Sequence, residues 1–309
     1  MSADDTAAPG TDTATASTAS GPAGLEGCVP EPGCAKPDPI FTADSVVRSF
    51  GGLRAVDVAH LEVQRGTITS LIGPNGAGKS TFFNLVTGFD KPDSGQWTFQ
   101  GEELTGQSAY RIARRGMVRT FQLTKALTRL TARENLMLGA TGQLGERFVP
   151  AFLRFPWRAQ EHEIGARADD LLERFNLAHM RDEYAGTMSG GQRKLLEMAR
   201  ALMVKPSMIM LDEPMAGVNP ALTQSLLEHI RELRDEGMTI VLVEHDMDVV
   251  MGISDWVCVF AQGELIAEGA PDDIRRNEQV IEAYLGAHRS LPAAEDTAET
   301  DEEERDEQS

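Results

Sequence analysis

The 309-residue sequence contains no apolar run approaching the roughly 18–20 residues that a bilayer span requires. Its first twenty residues are mostly Ala, Thr, Ser and Asp, with no basic start and no apolar centre. No secretory leader is expected, and the chain reads as one that stays in the cytosol unless a partner holds it at a membrane. Cysteine is scarce, with three residues in all. Cys28 and Cys34 sit in "CVPEPGC", inside a Pro/Gly-rich stretch. No second Cys/His pair follows, so incidental thiols in an unstructured segment are expected over a metal or disulfide pair. Cys258, in "WVCVF", reads as a buried core residue. A basic surface is missing as well. The net charge is −19, and most of the excess acid lies in residues 1–40 and in the stretch from Ala293. Nothing there resembles a nucleic-acid binder, and no nucleic-acid partner is expected.

What is present is enough apolar material, 41% of residues, for a sizeable core. Residues 1–38 are poor in bulky apolar side chains and are expected to be disordered. The same expectation holds for the acidic tail 290–309. Between them, 39–289 reads as one continuous domain without linker or repeat. Short β-rich runs alternate there with helical ones. "TITSLI" (67–72) leads into a glycine loop and a helix, and "GQWTFQG" (95–101) reads as a strand. "SMIMLDEP" (207–214) and "MTIVLVEH" (238–245) read as buried strands, and "DWVCVFAQGELIAEG" (255–269) as a hairpin turning near Gly263. Residues 158–176 have a helical period, and Thr131 and Glu134 stand in capping-box spacing. The alternation implies an α/β domain with a largely parallel core sheet. Ligands on such sheets gather at the carboxyl ends of the strands, where Gly73, Asp212 and His245 all fall.

"GPNGAGKST" comprises Gly73, Pro74, Asn75, Gly76, Ala77, Gly78, Lys79, Ser80 and Thr81. It fits the phosphate-cradling loop G-x-x-x-x-G-K-[ST] in its strand–loop–helix context. The glycines let backbone N–H groups wrap phosphates, Lys79 adds a point charge at the outer phosphates, and the Ser80 hydroxyl can ligate Mg²⁺. Thr81 supplies a hydroxyl or backbone contact to the inner phosphates. Asp212 closes a buried run as a holder of Mg²⁺. Glu213 beside it is placed to polarise an attacking water. A second cradle, Ser189, Gly190, Gly191 and Gln192, opens another helix and also carries capping-box spacing. Two cradles on one domain do not easily face one triphosphate. Two such domains standing head to tail, each second loop closing on the other's nucleotide, satisfy both.

In this order, the P-loop, Gln122 in "RTFQ", "SGGQ", "LDEP" and a histidine after a strand resemble an ABC-type ATPase. The resemblance spans about residues 40–287. It implies a P-loop NTPase core with a mainly parallel sheet, an antiparallel β subdomain and a helical subdomain at about 123–204. It also implies ATP and Mg²⁺ as ligands. Gln122 would touch Mg²⁺ or the attacking water and sense the membrane partner, and His245 would lie near the γ-phosphate. Phe50 would stack on adenine, and Ser189–Gln192 would contact the opposing subunit's nucleotide. Two positions depart from the usual pattern. Met188 replaces a leucine, a change conservative in volume, and Asn219 stands where many members carry aspartate.

The stretches "SFGGLRAV", "VRTFQLTKAL", "LDEPMAGVNP", "VEHDMDVVMGISDWV" and "VIEAYLG" resemble the ATPase subunits of branched-chain amino-acid importers. That resemblance implies a second, different ATPase subunit, two permease subunits, an extracytoplasmic solute-binding protein and a peripheral position on the cytoplasmic face of the plasma membrane. Urea and short amides are alternative cargoes, since an ATPase sequence does not encode the cargo. An exporter ATPase is the competing transport reading. A soluble cassette acting on ribosomes or in DNA repair is disfavoured by the single cassette and the absence of a heptad run. A non-catalytic nucleotide-gated subunit is disfavoured by the intact Lys79, Asp212, Glu213 and His245. The aromatics Phe148, Phe152, Phe155 and Trp157 read as packing onto the helical subdomain or a partner, with a membrane-facing surface as the alternative.

Overall fold

Three five-residue strands, buried at every position, organise the fold: β3 (Ile68–Ile72), β7 (Met208–Asp212) and β8 (Thr239–Val243). Strands covered on both faces read as unbroken apolar runs, because neither side meets water. The computed structural model describes residues 25–120, 127–141 and 156–289, with side chains of 156–158 and 285–289 left aside.

The central sheet runs β10-β9-β3-β8-β7-β6, with β6 (Met117–Arg119), β9 (Trp256–Ala261) and β10 (Glu264–Gly269). All pairings in it are parallel except the β9–β10 hairpin. The hairpin turns at Gln262 and Gly263, both at positive φ. A separate antiparallel sheet, in the order β2-β1-β4-β5, is built from β1 (Pro39–Phe50), β2 (Leu53–Gln64), β4 (Ser94–Phe99) and β5 (Glu102–Glu103). Trp97, Phe99, Phe82 and Phe83 fill the space between this sheet and the core. Here α1 (Lys79–Val86) follows β3 directly, and α2 (Ala109–Arg114) precedes β6.

On the other side α3 (Ala132–Met137), α4 (Pro156–Arg174) and α5 (Gly190–Leu202) pack on one another. Their shared core includes Leu136, Leu172, Phe175 and Leu196. Both expected capping boxes form, Thr131 with Glu134 and Ser189 with Gln192. Further along, α6 (Pro220–Asp235) and α7 (Met247–Ile253) flank β8, and α8 (Pro271–Arg276) and α9 (Glu278–Arg289) close the described chain.

One expectation is corrected. Composition put residues 25–38 in an unpacked extension, yet they are seated on the β2 edge and the β9–β10 hairpin. Leu25 is buried, the Lys36 N–H donates to Glu62 Oε2 (2.6 Å), and the Asp38 N–H donates to Gln64 Oε1 (3.0 Å). Lys36 is buried in an ion pair with Glu268, Nζ to Oε2 2.9 Å. Polar side chains of the domain supply the acceptors this segment needs, so it packs with few apolar residues of its own. Residues 1–24, the tail from 290, and the aromatics Phe148, Phe152 and Phe155 lie outside the described residues.

Candidate nucleotide-binding site

The loop between β3 and α1 has a backbone that only glycine accommodates at two points. Gly73 has φ +146° and Gly78 φ +99°. A Cβ on Gly73 would stand 2.0 Å from the Phe260 carbonyl oxygen, and one on Gly78 2.3 Å from that of Ala55. The loop is thus pressed against β9 on one side and β2 on the other. The first α1 bond runs from the Phe82 N–H to the Gly78 carbonyl (2.8 Å). The N–H groups ahead of it have no helical acceptor and point out of the helix start, the geometry of an anion cradle. Lys79 Nζ donates to the carbonyls of Gly73 (2.7 Å) and Pro74 (3.0 Å). Burial lowers its pKa, against the pull of Glu213 and Asp212. A polyanion at the cradle would offset that burial cost.

A cavity of about 610 Å³ opens over the loop. Asn75, Gly76, Ala77, Gly78, Lys79, Ser80 and Thr81 form its floor, and Leu53, Arg54, Ala55, Glu213, His245 and Gln262 its walls. The volume suits a nucleotide-sized ligand. Phe50 is not among the lining residues. It pairs with Leu53 across the β1–β2 turn, is half exposed, and carries the Arg48 guanidinium 4.7 Å above its ring.

Glu213 enters from β7 and His245 from β8, adjacent strands of the sheet. His245 Nε2 and Glu213 Oε1 are 2.5 Å apart. Glu213 sits at φ +47°, and its N–H donates to the Val243 carbonyl (2.9 Å). Such a carboxylate, held by an imidazole and facing the cradle, can orient and deprotonate a water. Asp212 is buried and pairs through Oδ2 with Arg119 (2.6 Å). Its Oδ1 is buried and has no hydrogen-bond partner among the described residues. One carboxylate with an unmet acceptor and the exposed Ser80 hydroxyl of the cavity floor make a donor set whose chemistry fits Mg²⁺, which takes few protein ligands and completes its shell with phosphates and water. Gln122 lies outside the described residues.

The second cradle is elsewhere. Ser189 caps α5, accepting from the Gln192 N–H (3.3 Å), and Gln192 Oε1 accepts from the Ser189 N–H (2.9 Å). Ser189 and Gly190 are exposed, and none of 189–192 lines the cavity. Gly191 is buried against Leu222. Asn219, the departure from aspartate, caps α6 by accepting from the Leu222 N–H (2.9 Å).

Three residues around the site were not singled out from sequence. Arg119 stacks on Phe83 and Phe89 and bonds Asn84 as well as Asp212. Lys194 Nζ donates to the carbonyls of Glu213 (3.2 Å), Pro214 (2.9 Å) and Ala216 (2.5 Å). Glu244, buried, accepts from the N–H groups of Met215 (2.9 Å) and His245 (3.3 Å). Lys194 carried a signal, because helical spacing puts it on the face of Gly191, Leu195 and Met198, where an apolar residue belongs. Glu244 and Arg119 are charges at the ends of apolar strands, and nothing local names their partners.

Comparison with known proteins adds identity to this geometry. The family model described as ABC transporter matches residues 56–216, and the one described as branched-chain amino acid ATP-binding cassette transporter matches 264–289. A probable branched-chain amino acid transport ATP-binding protein, LivG, of Archaeoglobus fulgidus is 42% identical over 251 residues, 81% of this chain and 97% of that protein. The high-affinity branched-chain amino acid transport ATP-binding protein BraF of Pseudomonas aeruginosa is 43% identical over 250 residues, 80% and 98% of the two chains. Among solved structures, a nucleotide-free ATP-binding cassette from an ABC transporter superposes with TM-score 0.70 at 37% identity, covering 80% of this chain and 98% of that one. An ABC transporter cassette in its ADP conformation gives 0.68 at 35%, covering 80% and 99%.

Proposed function

The chain belongs to the ABC transporter family, and from that premise we propose that it is an ATP-hydrolysing subunit of a membrane importer for branched-chain amino acids. The observation that carries the reading is the convergence of the P-loop, Glu213 and His245 on one cavity, in a chain whose end matches the branched-chain cassette model.

In this reading ATP lies with its phosphates on the N–H groups of residues 75–81, with Lys79 at the outer phosphates. Phe50 serves the adenine from the β1–β2 turn, a stacking contact worth on the order of 1 kcal/mol. Ser80 and Asp212 hold Mg²⁺, with Gln122 as a further ligand or water contact. Bound there, the metal would neutralise charge on the phosphates. Glu213 takes the proton of the attacking water, and His245 holds that carboxylate in line and faces the γ-phosphate. A second ATPase subunit, distinct from this one, brings its own Ser-Gly-Gly-Gln loop over this nucleotide, and Ser189–Gln192 does the same for the partner. No helix among the described residues is long and apolar enough to cross a membrane. By likeness to the branched-chain transport ATP-binding proteins, two permease subunits would hold the chain at the cytoplasmic face of the plasma membrane, and an extracytoplasmic binding protein would choose the cargo.

A pull-down tests this. Tagged Glu213→Gln is captured from native membranes solubilised with ATP and Mg²⁺. Recovery of a different ATPase with two multi-span permeases is the expected result. Recovery from the soluble fraction alone, or with ribosomes, would overturn the importer reading.

A further inference from the structure

Residues 25–38 lie outside both matched family segments, yet they bury the most enclosed charge pair in the described chain. The side chains of Lys36 and Glu268 are 1% and 0% exposed. Glu268 also accepts from the Trp256 indole N–H (2.8 Å) and, through Oε1, from the Cys34 N–H (2.7 Å). The Lys36 ammonium lies over the Trp256 ring, 4.4 Å from its centroid. It has a further neighbour that ordinary ion pairs lack. Lys36 Nζ is 2.7 Å from Cys34 Sγ, while it also donates to the Cys34 carbonyl (3.0 Å). That separation is at the short end of the roughly 2.7–3.2 Å range for bonds to oxygen, a smaller atom than sulfur. A nucleophilic sulfur and a nitrogen are therefore held in contact, and Cys34 is only half-buried, which leaves a small oxidant a path to the sulfur.

We propose that Cys34 and Lys36 form an oxidative modification site, at which hydrogen peroxide closes a sulfur–oxygen–nitrogen bridge between the two side chains. The first peroxide oxidises the thiol to a sulfenic acid and leaves one water. The second enters past Cys34, since Lys36 itself is 1% exposed, and delivers an oxygen to the deprotonated amine 2.7 Å from the sulfur, leaving another water. Condensation of S–OH with N–OH expels a third water and closes the bridge. One oxygen enters and two hydrogens leave, so thiol plus amine plus two peroxides give bridge plus three waters. The geometry selects this product over a direct sulfur–nitrogen bond. A bent S–O–N linkage spans about the separation already present, whereas a direct bond needs the atoms to close by about an ångström. Burial raises the Cys34 pKa, and Cys34 and Glu268 raise that of Lys36 against the effect of its own burial. The reactive thiolate and neutral amine both become more abundant as pH rises, so the bridge forms faster in alkali.

Bridging also removes the cation from Glu268, which remains buried. The β10 strand that carries Glu268 belongs to the hairpin whose Gly263 N–H donates to the Ala77 carbonyl of the P-loop (3.1 Å). The site therefore sits on an element that abuts the cradle.

The test is the intact mass of the full-length protein after hydrogen peroxide, alongside Cys28→Ala, Cys34→Ser and Lys36→Arg. The expected result is a gain of about 14 Da in the parent and in Cys28→Ala, faster at higher pH and reversed by dithiothreitol, and no such gain in Cys34→Ser or Lys36→Arg. Should Lys36→Arg fail to fold, Cys34→Ser alone decides. A loss of about 2 Da, or only whole-oxygen additions of about 16 Da each, would overturn the bridge. So would a gain of 14 Da, about the same mass, persisting in Cys34→Ser. The bridged form is expected to melt at a lower temperature than the reduced form, and an equal or higher Tm would overturn the loss of the Lys36–Glu268 pair.

Discussion

Lys194→Met should slow ATP turnover while leaving ATP affinity almost untouched. The ammonium has three N–H donors and three matched acceptors, the carbonyls of Glu213, Pro214 and Ala216. These fix the segment in which Glu213 holds φ +47°, a left-handed conformation that costs about 1–2 kcal/mol for a residue with a side chain. A hydrogen bond to a charged group contributes roughly 1.5–3 kcal/mol net. One shared charge does not give three times that, and water can replace part of it at a half-buried site, so the clamp amounts to about 2–3 kcal/mol. Burial lowers the Lys194 pKa against the pull of Glu244, Glu197 and Glu213, so the charge is already held at a cost that these acceptors offset. Without the clamp Glu213 can relax towards ordinary backbone angles and lose its aim. If that free energy appears in the barrier, kcat falls about 30- to 160-fold. Lys194 does not line the cavity, so the Kd for ATP should move by no more than about twofold. Phosphate release at saturating ATP and equilibrium binding of a fluorescent ATP analogue separate the two, and Lys194→Arg should recover part of the rate. A Lys194→Met protein with parental kcat, or one whose loss lies wholly in Kd, would refute the reasoning.

Gly78→Ala should abolish ATP binding, since its Cβ would meet the Ala55 carbonyl at 2.3 Å, whereas Gly76→Ala, with φ +80° but open space around it, should only weaken it; titration of the same fluorescent analogue ranks the two. Arg119→Met leaves the Asp212 carboxylate buried without its cation and should lower the unfolding free energy in urea by about 3 kcal/mol, the scale for breaking a buried pair. Burial raises the Glu244 pKa above 4.5, against the N–H groups of Met215 and His245. Between the unfolded and folded values the native state binds more protons, so this group's contribution falls as pH rises from 4.5 through the folded pKa. Glu244→Gln keeps an acceptor for Met215 and removes the titration, so urea midpoints of the variant should fall less steeply over that window than those of the parent.

What was legible in the sequence was what is local in it. The P-loop, both capping boxes and the hairpin at Gly263 each depend on residues within a few positions of one another, and their backbone geometry follows from glycine, serine and threonine chemistry. The buried strands were legible because coverage on both faces leaves no polar alternation. The charge pairings were not. Arg119 and Asp212 are 93 positions apart, and Lys36 and Glu268 are 232 apart. Only the sheet order, with β6 beside β7, brings the first pair together. Composition misjudged residues 25–38 for the same reason: it counts apolar side chains and cannot see that Glu62, Gln64 and Glu268 wait on distant strands to receive the segment.

The position of Glu213 is set from three elements at once. Its carboxylate is tied to His245 just beyond β8, its N–H to Val243 at the end of that strand, and its carbonyl to Lys194 on α5. The same helix begins at Ser189 and Gly190, exposed and away from the chain's own cavity. An α-helix is stiff over two turns, so a displacement of its first turn reaches Lys194 with little loss. A partner's nucleotide pressing on Ser189 would therefore bear on the carbonyl of Glu213 in the first subunit's own site. In the proposed dimer, contact across the subunits and alignment of the proposed base would then be two ends of one rigid lever. Such a lever would also account for a lysine whose ammonium is committed to three carbonyls of the Glu213 segment.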